Sequence, residues 1–198
     1  MTDSIAAIAI GYVLGSIPFG YLAGRLRGVD IREHGSHNTG GTNAVRVLGA
    51  KYGVPVILGD FAKGALAVVL AGQIGGTSQE VLAAAAAVVG HAFPLFLHFS
   101  GGKAVATGAG AMVALVPPIG LAVVALWIVV ALLTRYISVA SMVSAVSFPI
   151  LCIATGQPWQ VVLFTLAGAA FVLWRHRANI ARLRAGNENR LNLRGAKS

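Results

Sequence analysis

The chain has 198 residues, 57% of them hydrophobic and 11% charged, with a formal net charge of +9. One cysteine, Cys152, excludes a disulfide framework, and six scattered acidic residues (Asp3, Asp30, Glu33, Asp60, Glu80 and Glu188) form no carboxylate cluster, so no metal or other cofactor is expected. The positive charge points to anionic partners, and in so apolar a chain phospholipid headgroups or phosphorylated metabolites fit it better than nucleic acid.

Crossing a bilayer as a helix takes roughly 17–25 apolar residues. Seven stretches qualify in chain order, at about 4–24, 53–74, 79–98, 104–117, 118–134, 137–156 and 158–175. The expected fold is an all-α integral membrane protein with seven transmembrane helices, forming one membrane-embedded domain over residues 1–198. The fourth stretch is short, whether tilted, broken or partly inserted. The start "MTDSIAAIAI" has no basic region before its apolar run, so the first stretch reads as a retained helix rather than a cleaved signal.

Charge sets the orientation. Arg25, Arg27, Arg32, Arg46, Lys51, Lys103, Arg135 and the basic tail from Arg175 fall on one set of connections. The other set, around residues 1–3, 75–78, 117–118 and 156–157, has no Lys or Arg. By the positive-inside rule the basic side is cytoplasmic, with the N-terminus outside and the C-terminus inside.

Polar residues gather on that basic side. In "GSHNTGGTNAVRVLG", residues 35–49, the first part reads as an irregular loop and the second as a short amphipathic helix. It is either a solvated loop near headgroups or an anion site. In the second case Ser36, Thr42 and Asn43 are neutral donors and Arg46 is a bidentate fork for phosphate. Asp60 and Lys63, three apart on the second stretch, share a helical face. They form an ion pair that fixes packing, or Lys63 reaches a substrate.

The third stretch ends "GHAFPLFLHF", where Pro94 predicts a kink and His91 reads as a hydrogen-bonded core residue beside it. "SGGKAVATG" follows, and is a turn or an anion site. As an anion site, Gly101 and Gly102 open the backbone, Lys103 adds charge, and a helix starting nearby aims its positive end at the ligand. On the sixth stretch Ser138, Ser141 and Ser144 recur every three residues, as interhelical hydrogen-bonding groups or, for Ser138 and Ser141, as the lining of a polar pocket. The seventh runs into "WRHRANIARLRAGNENR", an amphipathic surface helix on which His176 and Asn179 share a face.

These elements resemble, in order and spacing, the bacterial acylphosphate-dependent glycerol-3-phosphate acyltransferase family (PlsY). Its signatures "GSxNxGxTNxxRxLG", "GHxFPxFLxFxGGKxVAT" and "RHxxNIxRLxxGxE" match here over the whole chain, as does "GDFAKG". His37, Thr39 and Gly41 depart from residues common there, between the polar positions.

The resemblance implies acyl transfer from acyl phosphate to the 1-hydroxyl of glycerol 3-phosphate. The products are lysophosphatidic acid and phosphate, in the first step of phospholipid biosynthesis. It implies a multi-pass protein of the bacterial inner membrane, active on the cytoplasmic side and monomeric. It also implies essential roles for Ser36, Arg46, His176 and Asn179, a glycerol-3-phosphate loop at Gly101, Gly102 and Lys103, and structural support from Glu188. There is no "GxSxG" elbow and no HxxxxD arrangement, and Cys152 lies mid-membrane. Direct attack by the glycerol hydroxyl is therefore expected, with its proton taken by His176 or by a substrate phosphate.

Overall fold

The computed structural model describes residues 1–191, and among these the regular structure is entirely helical. The helices are α1 (Thr2–Ser16), α2 (Phe19–Leu26), α3 (Gly41–Leu48), α4 (Ala50–Gly72), α5 (Thr77–Ala92), α6 (Val105–Leu115), α7 (Pro117–Thr134), α8 (Ile137–Ala154), α9 (Trp159–Arg175) and α10 (Arg177–Arg184). The chain divides into two compact units, Met1–Gly120 and the part from Leu121 onward.

In the first unit small residues replace large ones wherever backbones meet. A Cβ added at Gly11 or Gly15 of α1 would collide with the carbonyl oxygens of Ala83 and Ala87 on α5. One at Gly64 of α4 would collide with the Thr107 carbonyl of α6. Lipid tails offer no hydrophobic drive for helices to associate, so such close van der Waals approach does that work. Ala7, Ala67, Ala71, Ala83 and Ala87 form the resulting core. Leu58, Leu66 and Val69 point outward, as lipid-facing residues do.

Because Gly11 meets Ala83 and Gly15 meets Ala87, α1 and α5 run parallel. The short link from Gln73 to Gly76 makes α4 antiparallel to α5. The chain before α4 and the chain after α5 therefore emerge at one end of this hairpin.

Proline and glycine set the boundaries. Ile17-Pro18 breaks the first span between α1 and α2. Gly49, at φ 81°, stops α3 and starts α4 one residue later, a left-handed turn that a side chain would strain. Pro94 ends α5 outright rather than kinking it. The helix stops at Ala92, and a 3-10 turn, Leu95–Leu97, carries the chain on. Among the described residues, five helical stretches are long and apolar enough to cross a bilayer, or six if α9 and α10, bent by 55°, count as one span. The sequence predicts seven. In the count of six the missing one is α6, whose eleven residues reach about 16 Å, roughly half a bilayer core; in the count of five α9 is missing too.

In the second unit α8 packs on α9. Ser141 of α8 donates to its own Ile137 carbonyl at 2.8 Å and accepts the Trp127 indole N–H of α7 at 3.2 Å. The alternative in which Ser141 faces a substrate pocket gives way to the interhelical link, because its hydrogen is committed to the backbone and a lone pair to Trp127.

Candidate functional site

In the first unit, Asn43 organises the first polar loop. It is 2% exposed, in the first turn of α3. Its Oδ1 accepts the Ser36 amide at 2.8 Å. Its Nδ2 faces the carbonyls of Ile31, Asn38 and His34 at 2.8, 2.9 and 3.1 Å. Every polar atom of this side chain is thus used to hold residues 31–38 against the helix. Asn43 is a positioning residue for Ser36, not the donor to a ligand that the sequence suggests.

The loop has a second clamp. Arg32 grips the Asp30 carboxylate through Nε at 2.9 Å and Nη2 at 2.6 Å. That hydrogen bonding outweighs the effect of burial and pulls the Asp30 pKa down to about 2. Thr42 and Arg46 are exposed, four residues apart on one face of α3. A Cβ at Gly35 would sit 3.4 Å from Arg46 Cδ, so the arginine stem runs beside the Gly35–Ser36 turn.

The second loop leaves α5 at the same end of the hairpin. His98, Phe99 and Ala104 all adopt left-handed φ, at 50°, 61° and 59°, a cost usually kept for constrained turns. The Gly101 and Gly102 amides donate to the Ala92 and His91 carbonyls, both at 3.1 Å. A Cβ on Gly101 would strike the His91 carbonyl, and one on Gly102 the His91 ring. The glycines are needed because the loop folds back onto α5, so their part in any anion site is to shape it. Lys103 is half-buried, and α6 begins two residues later. A small cleft, lined by Thr39 of the first loop and by Lys63, His91 and Pro94, lies at this end of the unit.

Lys63 is 4% exposed. It pairs with Asp60 at 2.8 Å and donates to the Ile17 carbonyl at 2.8 Å. Of the two sequence readings for Lys63, the packing pair accounts for these contacts.

In the second unit His176 is the hinge between α9 and α10 and is 3% exposed. Its Nδ1 lies 2.8 Å from the Val172 carbonyl, an acceptor, so Nδ1 carries a hydrogen. Asn179 donates to Glu188 Oε1 at 2.6 Å, Ser138 donates to the same oxygen at 2.9 Å, and Arg182 donates to Oε2 at 2.7 Å. Burial raises the Glu188 carboxyl, but these three donors outweigh it and hold it below the usual glutamate range. The family resemblance implied a supporting role for Glu188 without revealing that Ser138 is one of its partners. Among the described residues, no three His, Cys, Asp or Glu side chains gather as a metal site would need.

Residues 5–186 match the family model for glycerol-3-phosphate acyltransferase. Over 187 residues the chain is 49% identical to the glycerol-3-phosphate acyltransferase of Rubrobacter xylanophilus, covering 94% of each chain. It is 45% identical to that of Synechococcus sp. (strain CC9902), covering 98% of each. Its fold is similar to the crystal structure of PlsY (YgiH), an integral membrane glycerol 3-phosphate acyltransferase, in the glycerol 3-phosphate form. There the TM-score is 0.92 at 37% identity, covering 96% of each chain. For the lysophosphatidic acid form of that protein the TM-score is 0.88, with 94% of each chain covered.

Proposed function

The chain belongs to the glycerol-3-phosphate acyltransferase family, membrane acyltransferases of lipid biosynthesis, and from that premise we propose that it acylates the 1-hydroxyl of glycerol 3-phosphate with acyl phosphate as donor. The hydroxyl oxygen attacks the acyl carbon and the carbon–oxygen bond to phosphate breaks. Lysophosphatidic acid and inorganic phosphate leave. The hydroxyl proton passes to His176 Nε2 or to a substrate phosphate oxygen. A mixed anhydride already carries a good leaving group, so charge stabilisation and positioning suffice without a covalent nucleophile.

The observation that carries this reading is the pair of basic loops at one end of the α4–α5 hairpin, one presenting Arg46 beside Ser36 and the other Lys103. Two phosphorylated substrates need two such cationic positions. Ser36, Arg46, Lys103, His176 and Asn179 carry the reaction, and Thr42 joins them in binding. Gly101 and Gly102 shape the loop that presents Lys103 to glycerol 3-phosphate. Both units serve the same reaction as one functional domain, and the protein acts as a monomer.

The topology follows from charge. Lys103 precedes α6 and Arg135 follows α7, and both belong on the basic side. Helices α6 and α7 must then go out and return, so α6 is a short seventh crossing. The N-terminus is outside, the C-terminus inside, and the reacting residues face the cytoplasm of a bacterial inner membrane.

Lys103→Gln tests the substrate assignment. Removing one charge-assisted contact worth about 1.5–3 kcal/mol should lower catalytic efficiency toward glycerol 3-phosphate roughly 10- to 150-fold. Unchanged kinetics for both substrates would reduce the loop to a turn.

A further inference from the structure

His91 stands where three parts of the first unit meet. Its carbonyl accepts the Gly102 amide at 3.1 Å. Its ring lies so close to Gly102 that a Cβ there would run into Nε2. Its Nδ1 is 3.2 Å from Thr107 Oγ1, in the first turn of α6, and 3.4 Å from Asp60 Oδ1 on α4. One imidazole therefore holds the chain on both sides of Lys103, at Gly102 before it and at Thr107 after it.

The ring is itself held. An Asp60 carboxylate oxygen can only accept, so the tautomer with its hydrogen on Nδ1 satisfies it, and Thr107 shares that contact. Asp60 is fixed by Lys63 at 2.8 Å, and Lys63 by the Ile17 carbonyl at the break between α1 and α2. All three ionisable side chains are buried, at 2%, 4% and 7% exposure for Asp60, Lys63 and His91. Buried polar groups in a membrane bundle are costly and are kept where they pair or act. The acyl-transfer step derived above uses none of the three.

We propose that His91, oriented by the Asp60–Lys63 pair, is a positioning residue for Lys103: it sets the path of residues 101–107 and so the point the ammonium group can reach. This rests on the reading of Lys103 as a ligand of the glycerol 3-phosphate phosphate group. A displacement of about 1 Å in a substrate contact is felt in binding long before the fold is lost.

The test compares His91→Phe, which keeps a ring against Gly102 but has no Nδ1 donor, with His91→Asn, whose amide can supply a donor near the Nδ1 position. Thr107→Val, which keeps volume and removes one tether, guards against misfolding, and thermal melting in detergent checks each variant. His91→Phe should raise KM for glycerol 3-phosphate roughly tenfold, the effect of one lost hydrogen bond, and leave KM for acyl phosphate unchanged. His91→Asn should be milder and Thr107→Val should shift the same constant. In a Lys103→Gln background, His91→Phe should add nothing to KM for glycerol 3-phosphate.

The proposal is overturned if His91→Phe affects both substrates equally, if it outperforms His91→Asn, or if its effect adds in full to that of Lys103→Gln. Should Lys103→Gln alone leave glycerol 3-phosphate kinetics unchanged, the phosphate-loop reading falls and the positioning role with it. Should Lys103→Gln act while His91→Phe adds in full, only the positioning role falls.

Discussion

Asn43 Oδ1 accepts the backbone amide of Ser36 at 2.8 Å, so a side chain in the first turn of α3 fixes the serine of the first signature. Its amide nitrogen serves the carbonyls of Ile31, His34 and Asn38 in the same stroke. Asn43→Ala should orphan several of these buried groups at a cost on the order of 3 kcal/mol and lower activity by about a hundredfold. Asn43→Asp keeps the size but turns an acceptor toward three carbonyls, so it should be no better. Thermal melting and initial rates check both variants. An Asn43→Asp protein with ordinary stability and turnover would contradict the positioning role.

The Asp60–Lys63 pair makes a stability prediction. Lys63→Met leaves Asp60 buried without its cation and should cost about 3–5 kcal/mol. Asp60→Asn combined with Lys63→Met removes both charges and should recover much of that loss, since burying an ion pair in lipid gains little net. Unfolding in detergent is the measurement. A double variant as unstable as the sum of the singles would show that the two charges act separately.

Glu188 gives a pH dependence with a definite sign. Its folded carboxyl is depressed, so its contribution is complete above the ordinary glutamate range and is lost as pH falls through the folded value. Glu188→Gln should lower stability at neutral pH by about 1.5–3 kcal/mol, because Arg182, Asn179 and Ser138 lose a charged acceptor. The gap to the parent protein should close as pH falls below that range. A gap that stays constant into acid would mean the charge of Glu188 does not matter.

Much of this arrangement was legible in the sequence, and what was not has physical reasons. Apolar runs marked the spanning stretches, because a bilayer demands them locally. The hydroxyls and amides were harder. Asn43 and Ser141 looked like ligand donors because composition records that a donor exists, not where it points. Their partners are backbone amides and carbonyls, or Trp127 on another helix, and no residue spacing encodes those. Gly101 and Gly102 were correctly singled out as a place of close approach, but the approaching group in the structure is α5 itself. The shortness of α6 was legible, because the glycines and lysine before it and the two prolines after it leave few apolar residues between them.

Orientation can be read directly. A periplasm-active reporter fused to the C-terminus should be silent, and a cytoplasm-active one should report, since an odd number of crossings from an outside N-terminus ends inside. A strong periplasmic signal would remove one crossing, and α6 would be the one to lose it.

The identity of the acyl donor is the central claim, and one assay reaches it. Purified protein is given glycerol 3-phosphate with either palmitoyl phosphate or a palmitoyl thioester, in excess EDTA, and phosphate release and lysophosphatidic acid are measured together. The account predicts equal amounts of phosphate and lysophosphatidic acid from palmitoyl phosphate, unaffected by the chelator, and no product from the thioester. Efficient transfer from the thioester, or activity that vanishes with EDTA and returns with magnesium, would contradict it.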